Sequence, residues 1–267
     1  MRIGKQDAPF TAICGSDADS ITVRGRDLCE DIIGKVDFTS YFWLLVAGSM
    51  PSDEQRFFAD AVLTAIAEHG LVPSVVATRM TIAAAPEAFQ GAVAAGLLGC
   101  GSVVLGSAEV AGRFYAALLE RIAAAPDDRD AVIVAALREL RAARQTVPGF
   151  GHPQHSEGDP RARKLVDLAR GRGAAGPHIA LLDDLARLLP EAIGRALPLN
   201  VNGAIPAVML DVGFPLAALK GISLLARTAG LIGHLQEESE RPIGFIMSGQ
   251  AAAAISYDGP ELSSSGE

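Results

Sequence analysis

From Ser52 to Glu238 the chain is a succession of apolar segments with helical spacing, cut at intervals by proline and glycine. Phe57, Phe58, Ala61, Val62, Ala65 and Ile66 show the pattern. They recur at three- and four-residue intervals, which place side chains on one face of an α-helix. A half-buried strand would instead alternate with a period of two. Runs of Val, Ile, Tyr and Thr are scarce, alanine and leucine dominate, and aromatic residues make up 5%. That composition favours helix, and the fold class that follows is all-α. With 267 residues, 49% of them hydrophobic, the chain is large and apolar enough to bury a substantial core.

Capping and breaking residues set the expected elements. Residues 1–24 read as an irregular arm with an extended piece from Ser20 to Arg24, and Asp27 to Ile33 as a helical turn or two. Phe38 to Ala47 is a short buried helix holding the single tryptophan, Trp43. Ser52 followed by Gln55 forms a capping box for a helix reaching about His69. Further helices are expected over 75–84, 87–98, 107–124, 126–144, 160–172, 177–197, 201–212 and 215–238, with Pro190 breaking the sixth of these. The last ten residues, DGPELSSSGE, read as disordered. No internal repeat or interdomain linker is visible.

Several function classes are disfavoured. A net charge of −8 argues against nucleic-acid binding, although local arginine clusters still suit anionic ligands. The N-terminus lacks an apolar leader, which points to the cytoplasm. Gly91 to Ala108 carries no charge, but its glycines and the flanking Glu87 and Glu109 suit a buried helix and loop better than a membrane span. The glycines of Gly99 to Gly106 lack the Lys and Ser/Thr of a phosphate loop, so close helix packing is expected there. Cys14, Cys29 and Cys100 have no metal-ligand spacing, and Cys29 and Cys100 lie in apolar surroundings that suggest buried, reduced thiols.

The densest run of special residues is Val147 to Lys164, VPGFGHPQHSEGDPRARK. Pro148, Gly149 and Gly151 force an irregular backbone around Phe150, and a loop of this kind between helices is where binding and catalysis concentrate. His152 and His155 are three apart, too few ligands for a metal site, and none is expected. His152 is either a proton-handling histidine or a surface one. His69 either closes its helix as a cap or takes part in a site. Arg227 stands in an otherwise apolar helix, with no acidic residue one turn away on it. It either snorkels at a helix edge or meets an anion, since buried guanidinium groups pair with carboxylates. Asn200-Val201-Asn202-Gly203 reads on its own as a turn with a helix cap.

Taken in order, PGFGH, DPR, the NVN turn, ARTAGLIGH and ERP resemble the citrate synthase superfamily across roughly residues 20–245. AEHG at Glu68-His69, the glycine-rich 101–108 turn and ISYDG at 255–259 bring the chain nearest to the citryl-CoA lyase module of ATP-citrate lyase and its free-standing bacterial relatives. The resemblance implies an all-α homodimer with a cleft between two domains, a large one (1–105 and 214–267) and a small one (106–213). It implies that His69 binds the oxaloacetate part of the substrate. His152 would exchange a proton with the oxygen that is carbonyl in oxaloacetate and hydroxyl in citrate. Arg161 and Arg227 would clamp carboxylates, and Arg241 would reach in from the partner subunit. Pro148, Gly149, Phe150 and Gly151 would face the adenine end of coenzyme A, the acyl-CoA substrate's carrier, with Arg163 and Lys164 near its phosphates.

Two departures bear on the reaction. Asn202 stands where the synthases have the aspartate that removes the acetyl methyl proton, and an amide cannot act as that base. Val104 stands where they have a histidine that polarises the thioester carbonyl. Synthase chemistry is therefore poorly supported, and the nearer resemblance implies cleavage of citryl-CoA, or a close analogue, to acetyl-CoA and oxaloacetate, with His152 as base and with water or His155, in place of Asn202, supplying the enolate's proton. Two alternatives stand beside it. One is a catalytically silent citrate- or oxaloacetate-binding protein. The other is an acyltransferase with a different acyl-CoA or keto acid, its pocket enlarged at Gly203 and Ala204.

Overall fold

The computed structural model describes residues 10–103, 105–151 and 158–260. Its main elements are helices: α1 (Phe38–Ala47), α2 (Asp53–Ala67), α3 (Pro73–Ala84), α4 (Phe89–Leu98), α5 (Ser107–Ala124), α6 (Arg129–Ala142), α7 (Pro160–Gly171), α8 (Pro177–Ile193), α9 (Val201–Asp211), α10 (Leu219–Glu240) and α11 (Gly244–Ala254). The all-α expectation holds. Three short strands, β1 (Cys14–Ser16), β2 (Ile21–Val23) and β3 (Arg26–Asp27), form an antiparallel sheet in that order. At two or three residues each they are too short to leave a periodic signal, and the sequence marks only the middle one.

The capping box is present: Ser52 N–H donates to Gln55 Oε1 at 2.9 Å and Gln55 N–H to Ser52 Oγ at 3.2 Å. Pro190 does not break α8. It sits in the last turn, where the helix forgoes one amide bond and then closes on Gly194 at φ 80°. The alanine-rich α11 has little helical periodicity and follows Arg241-Pro242, so the sequence gives it no start. Glu238 supplies one, its Oε1 accepting the N–H groups of Ile243 and Gly244 at 2.8 and 2.7 Å. Cys100 is buried as expected, but Cys29 is exposed, because its short helical turn (Leu28–Ile32) turns it outward. Close packing does not account for Gly99 or Gly101. A side chain at Gly101 would meet nothing within 4 Å, and one at Gly99 only an ordinary contact at 3.5 Å.

The chain forms two compact units, Met1–Ile66 with Leu105–Ser223 and Ala67–Val104 with Leu224–Glu267. In the first, α9 packs against α5, α7 and α8, and α6 against α8. Helix α9 is buried almost all round, from Val201 and from Gly203 through Met209, as a helix apolar on every face must be. Gly112 of α5 lets Leu219 and Pro206 approach its backbone, the latter's Cβ at 3.1 Å from where a side chain would begin. Trp43, 1% exposed, meets Phe214 edge-on at 5.2 Å between centroids. Arg172, just beyond α7, stacks 4.0 Å over the Phe57 ring while bonding Glu54 at 2.7 Å, which ties that helix end to α2. In the second unit, α3 packs against α4 and α11.

One buried carboxylate holds the start of α8. Asp211, at the end of α9, accepts the N–H groups of Gly176, His178 and Ile179 at 2.7, 3.0 and 3.0 Å, and lies 2.8 Å from His178 Nδ1. It caps from another helix, which no local pattern announces. Burial acts to raise its pKa, but the His178 side chain and the three N–H groups outweigh burial and hold the carboxyl below its ordinary value. Asp211→Ala strands those donors and is expected to lower stability by about 2–3 kcal/mol, read as a fall in the urea midpoint. Because the folded-state pKa is depressed, the contribution is present above the ordinary carboxylate range and is lost as pH falls through the folded value. The gap between wild type and variant should therefore narrow in acid.

Candidate active site

The Val147–Gly151 loop is sewn to the segment before α9. Phe150 forms an isolated antiparallel bridge with Leu199. Gly151 N–H donates to Pro198 O at 2.7 Å, and Asn200 N–H donates to Gly149 O at 3.0 Å. Asn200 adds a side-chain clasp. Its Nδ2 donates to Gly151 O at 2.7 Å, while its Oδ1 accepts the Gly203 N–H at 3.1 Å and caps α9. From α5, the Tyr115 hydroxyl donates to Pro148 O at 3.4 Å. Tyr115 is fully buried, and burial pushes its phenol well above the ordinary value, so it stays a neutral donor.

The loop can lie this close only because two glycines face each other. Gly149 adopts φ +83°, a left-handed conformation, and a side chain on it would strike Tyr115 and Gly203. A side chain on Gly203 would begin 2.5 Å from Gly149 O and 2.8 Å from its Cα. Gly203 thus admits the loop backbone and does not enlarge a pocket, and Ala204 is fully buried. This corrects the expectation attached to those two positions.

Arg161 lies in the first turn of α7, beside Asp159, whose side chain is fully buried. Asp159 caps α7 through the Arg161 N–H at 3.0 Å and reaches α9 through the Val201 N–H at 3.1 Å. The Arg161 guanidinium grips the same carboxylate at two points, Nε to Oδ1 at 3.0 Å and Nη2 to Oδ2 at 2.8 Å. Burial acts to raise the Asp159 carboxyl, but the Arg161 guanidinium and the two backbone N–H groups outweigh it, so its pKa is lowered. A guanidinium has five N–H donors, and Asp159 leaves three of them to face another acceptor. Asn202, half-buried in the first turn of α9, follows this cluster directly. Pro206 carries no N–H, so the Asn202 carbonyl lacks the usual helical donor four residues on. Arg163 and Lys164 are exposed on α7.

A second cluster lies in the other unit. His69 follows the end of α2 and is half-buried. Glu68 accepts the N–H groups of His69, at 2.8 Å, and Gly70, and its other oxygen lies 2.9 Å from His234 Nε2. Arg227, on α10, is 3% exposed, and Arg241, just past that helix, is exposed. Glu68, His234, Glu237, Glu240 and Arg241 line an open depression of about 520 Å³. Beneath it Arg79 of α3, 2% exposed, bonds Glu238 at 2.5 Å and Glu237 at 2.8 Å.

The structure therefore joins Pro148–Gly151 and Arg161 through hydrogen bonds of Asn200, Leu199, Val201 and Asp159, with Asn202 next in the chain. It places His69 in the second cluster, whose bonds also reach the backbone of Arg241 through Arg79. His152, His155 and Val104 lie outside the described residues. The sequence reading passed over Tyr115 and Arg79. A lone arginine in the apolar run VVATRMTIAAA is the same signal that singled out Arg227, and it would have found Arg79. Tyr115 carries no comparable mark. Among the described residues no group of His, Cys, Asp and Glu is placed to hold a metal ion.

The chain resembles known proteins over most of its length. The family model described as citrate synthase, C-terminal domain, matches residues 57–244. A citrate synthase from Synechocystis is 26% identical over 210 residues, covering 76% of this chain and 50% of that protein. The chain thus spans half the length of this curated relative. The structure of citryl-CoA lyase from Hydrogenobacter thermophilus superposes with a TM-score of 0.82 at 28% identity, covering 98% of this chain and 97% of that one. ATP citrate lyase from Methanothrix soehngenii, solved with citrate and coenzyme A, superposes with a TM-score of 0.73 at 23% identity, over 97% of this chain and 43% of that one.

The glycine contact can be tested directly. Gly203→Ala should force the Val147–Gly151 loop outward and cost about 1–3 kcal/mol of stability by overpacking, measured by urea unfolding. Ala207→Gly, elsewhere on the same helix, removes a methyl without displacing the loop and serves as the comparison for loop-specific effects.

Proposed function

The chain belongs to the citrate synthase family, and from that premise we propose that it is a carbon–carbon lyase cleaving citryl-CoA, or a close analogue, to acetyl-CoA and oxaloacetate. The observation that carries this reading is the end-to-end match to a citryl-CoA lyase, 98% of one chain on 97% of the other. Asn202 does not set the direction: an amide can neither remove a methyl proton for synthesis nor return one to the enolate in cleavage, so another group must handle that proton.

In the cleavage step the citryl hydroxyl gives its proton to a base, for which His152 is proposed. The carbon–carbon bond breaks, the hydroxyl carbon becomes the oxaloacetate carbonyl, and the bonding pair becomes the acetyl-CoA enolate. The enolate carbon then takes up a proton from water or from His155. Asn202 orients the thioester through its amide. His69, Arg161, Arg227 and Arg241 hold the carboxylates, Arg161 with the three donors that Asp159 leaves over. Coenzyme A is proposed to lie along Pro148–Gly151, with Arg163 and Lys164 near its phosphates. The Pro148, Gly149 and Gly151 carbonyls already accept protein donors, so adenine contacts to these three fall to their second lone pairs.

We further propose a homodimer in which Arg241 serves the partner's site, each chain divided into a large domain (1–105 and 214–267) and a small one (106–213), a functional division that cuts across the first compact unit, Met1–Ile66 with Leu105–Ser223. Leu98, Phe245 and Ile246 are exposed at 87%, 72% and 60%, an apolar display that a second subunit would cover. The setting proposed is cytoplasmic.

Synthetic citryl-CoA should be turned over, with oxaloacetate followed by coupled NADH oxidation. Absence of turnover together with tight citrate binding would instead favour a silent binding protein. Arg227→Ala should weaken citrate binding about 10- to 100-fold, the cost of a charged hydrogen-bonding partner, whereas the exposed Arg163→Ala should change it by less than about fivefold. Asn202→Asp should raise solvent deuterium uptake into the methyl group of acetyl-CoA, detected by mass spectrometry, because a carboxylate restores a base.

A further inference from the structure

The second cluster holds a hydrogen-bond chain whose direction can be assigned. Arg79 Nη1 lies 3.3 Å from His234 Nδ1. A guanidinium nitrogen only donates, so Nδ1 must be the bare, accepting nitrogen. The imidazole then carries its proton on Nε2, which faces Glu68 Oε2 at 2.9 Å. A doubly protonated ring would set N–H against N–H at Arg79. The other Glu68 oxygen accepts the backbone N–H groups of His69 and Gly70. Burial acts to raise the Glu68 carboxyl, but the His234 side chain and these N–H groups outweigh it and keep its pKa low.

The chain starts from a fixed point. Arg79 is anchored by Glu237 and Glu238 and donates to Arg241 O at 3.1 Å. Glu238 in turn holds the N–H groups that open α11. Gly230 lets α10 pass close to the Ala67 carbonyl, where a side chain would collide, and His234 one turn on can then reach Glu68. We propose that Arg79, His234 and Glu68 form a relay that fixes the backbone of His69 and so the aim of its imidazole, making Glu68 and His234 positioning residues for keto-acid binding. The inference rests on His69 binding the oxaloacetate moiety. It adds that the same buried guanidinium sets both His69 and the chain at Arg241.

The test compares His234→Leu, His234→Gln and Glu68→Gln in the full chain. Gln at 234 can accept from Arg79 and donate to Glu68; Leu can do neither. Gln at 68 can still accept the two backbone N–H groups but turns a donor toward His234. Calorimetry with oxaloacetate should show about tenfold weaker binding for His234→Leu and Glu68→Gln, the scale of a misaimed contact, and binding within about threefold of wild type for His234→Gln. The thermal midpoint and the Kd for coenzyme A serve as controls. Unchanged oxaloacetate affinity in folded His234→Leu, or a Gln variant no better than Leu, would overturn the relay. Histidine labelled with ¹⁵N gives a readout that needs no ligand. His234 should show a protonated Nε2 and a bare Nδ1, and the His69 amide resonance should move in His234→Leu. A protonated Nδ1 or an unmoved His69 amide refutes the relay. Failure of wild type to bind oxaloacetate, with these spectra as expected, refutes only the role given to His69.

Discussion

The backbone of Gly149 lies against the backbone of Gly203, with no room for a β-carbon on either. The site in the first unit depends on this contact. It brings the Val147–Gly151 loop within hydrogen-bonding reach of 198–203, so that Gly149, Gly151 and Asn200 form a small patch of sheet-like bonds in a helical protein. The loop gains rigidity from bonds to a helix start rather than from its own composition. A rigid loop presents its remaining polar groups at fixed angles, which lowers the ordering cost of binding a ligand there.

Helix α9 supplies the other half of that arrangement. It is apolar on nearly every face and packs against three neighbours, yet its start carries Asn200 as its cap and Asn202 in its first turn. The N–H groups of that turn need acceptors, and Asn200 and Asp159 provide them from two directions. Asp159 also holds Arg161 by two bonds. One buried carboxylate therefore orders the start of α7, the start of α9 and a guanidinium aimed by both. In the second unit Arg79 has the corresponding position among Glu237, Glu238 and His234.

Much of this was legible in the chain. The helix limits at 38–47 and 107–124, the Ser52–Gln55 box and the Asp159-Pro160 start all follow from capping chemistry and periodicity, which are local. The order of PGFGH, DPR, NVN and ARTAG identified the family. What stayed hidden was set by contacts distant in sequence. Pro190 within α8, the start of α11 and the Asp211 cap depend on partners that no local window contains. Gly203 looked like spare volume because a missing side chain does not reveal what fills its place.

By itself, the sequence determined that this protein is helical, where most helices begin and end, and which arginines and histidines are candidates for an anion site. Periodicity and capping act over a few residues, so they can be read along the chain. The tertiary structure alone decided what those residues meet. It gave the side of Arg161 that Asp159 occupies, the groups that stand against the two ring nitrogens of His234, and the loop that fills the space at Gly203. A charged group's reach, a tautomer and a packing gap are fixed by neighbours far apart in sequence, and only the folded backbone brings those neighbours together.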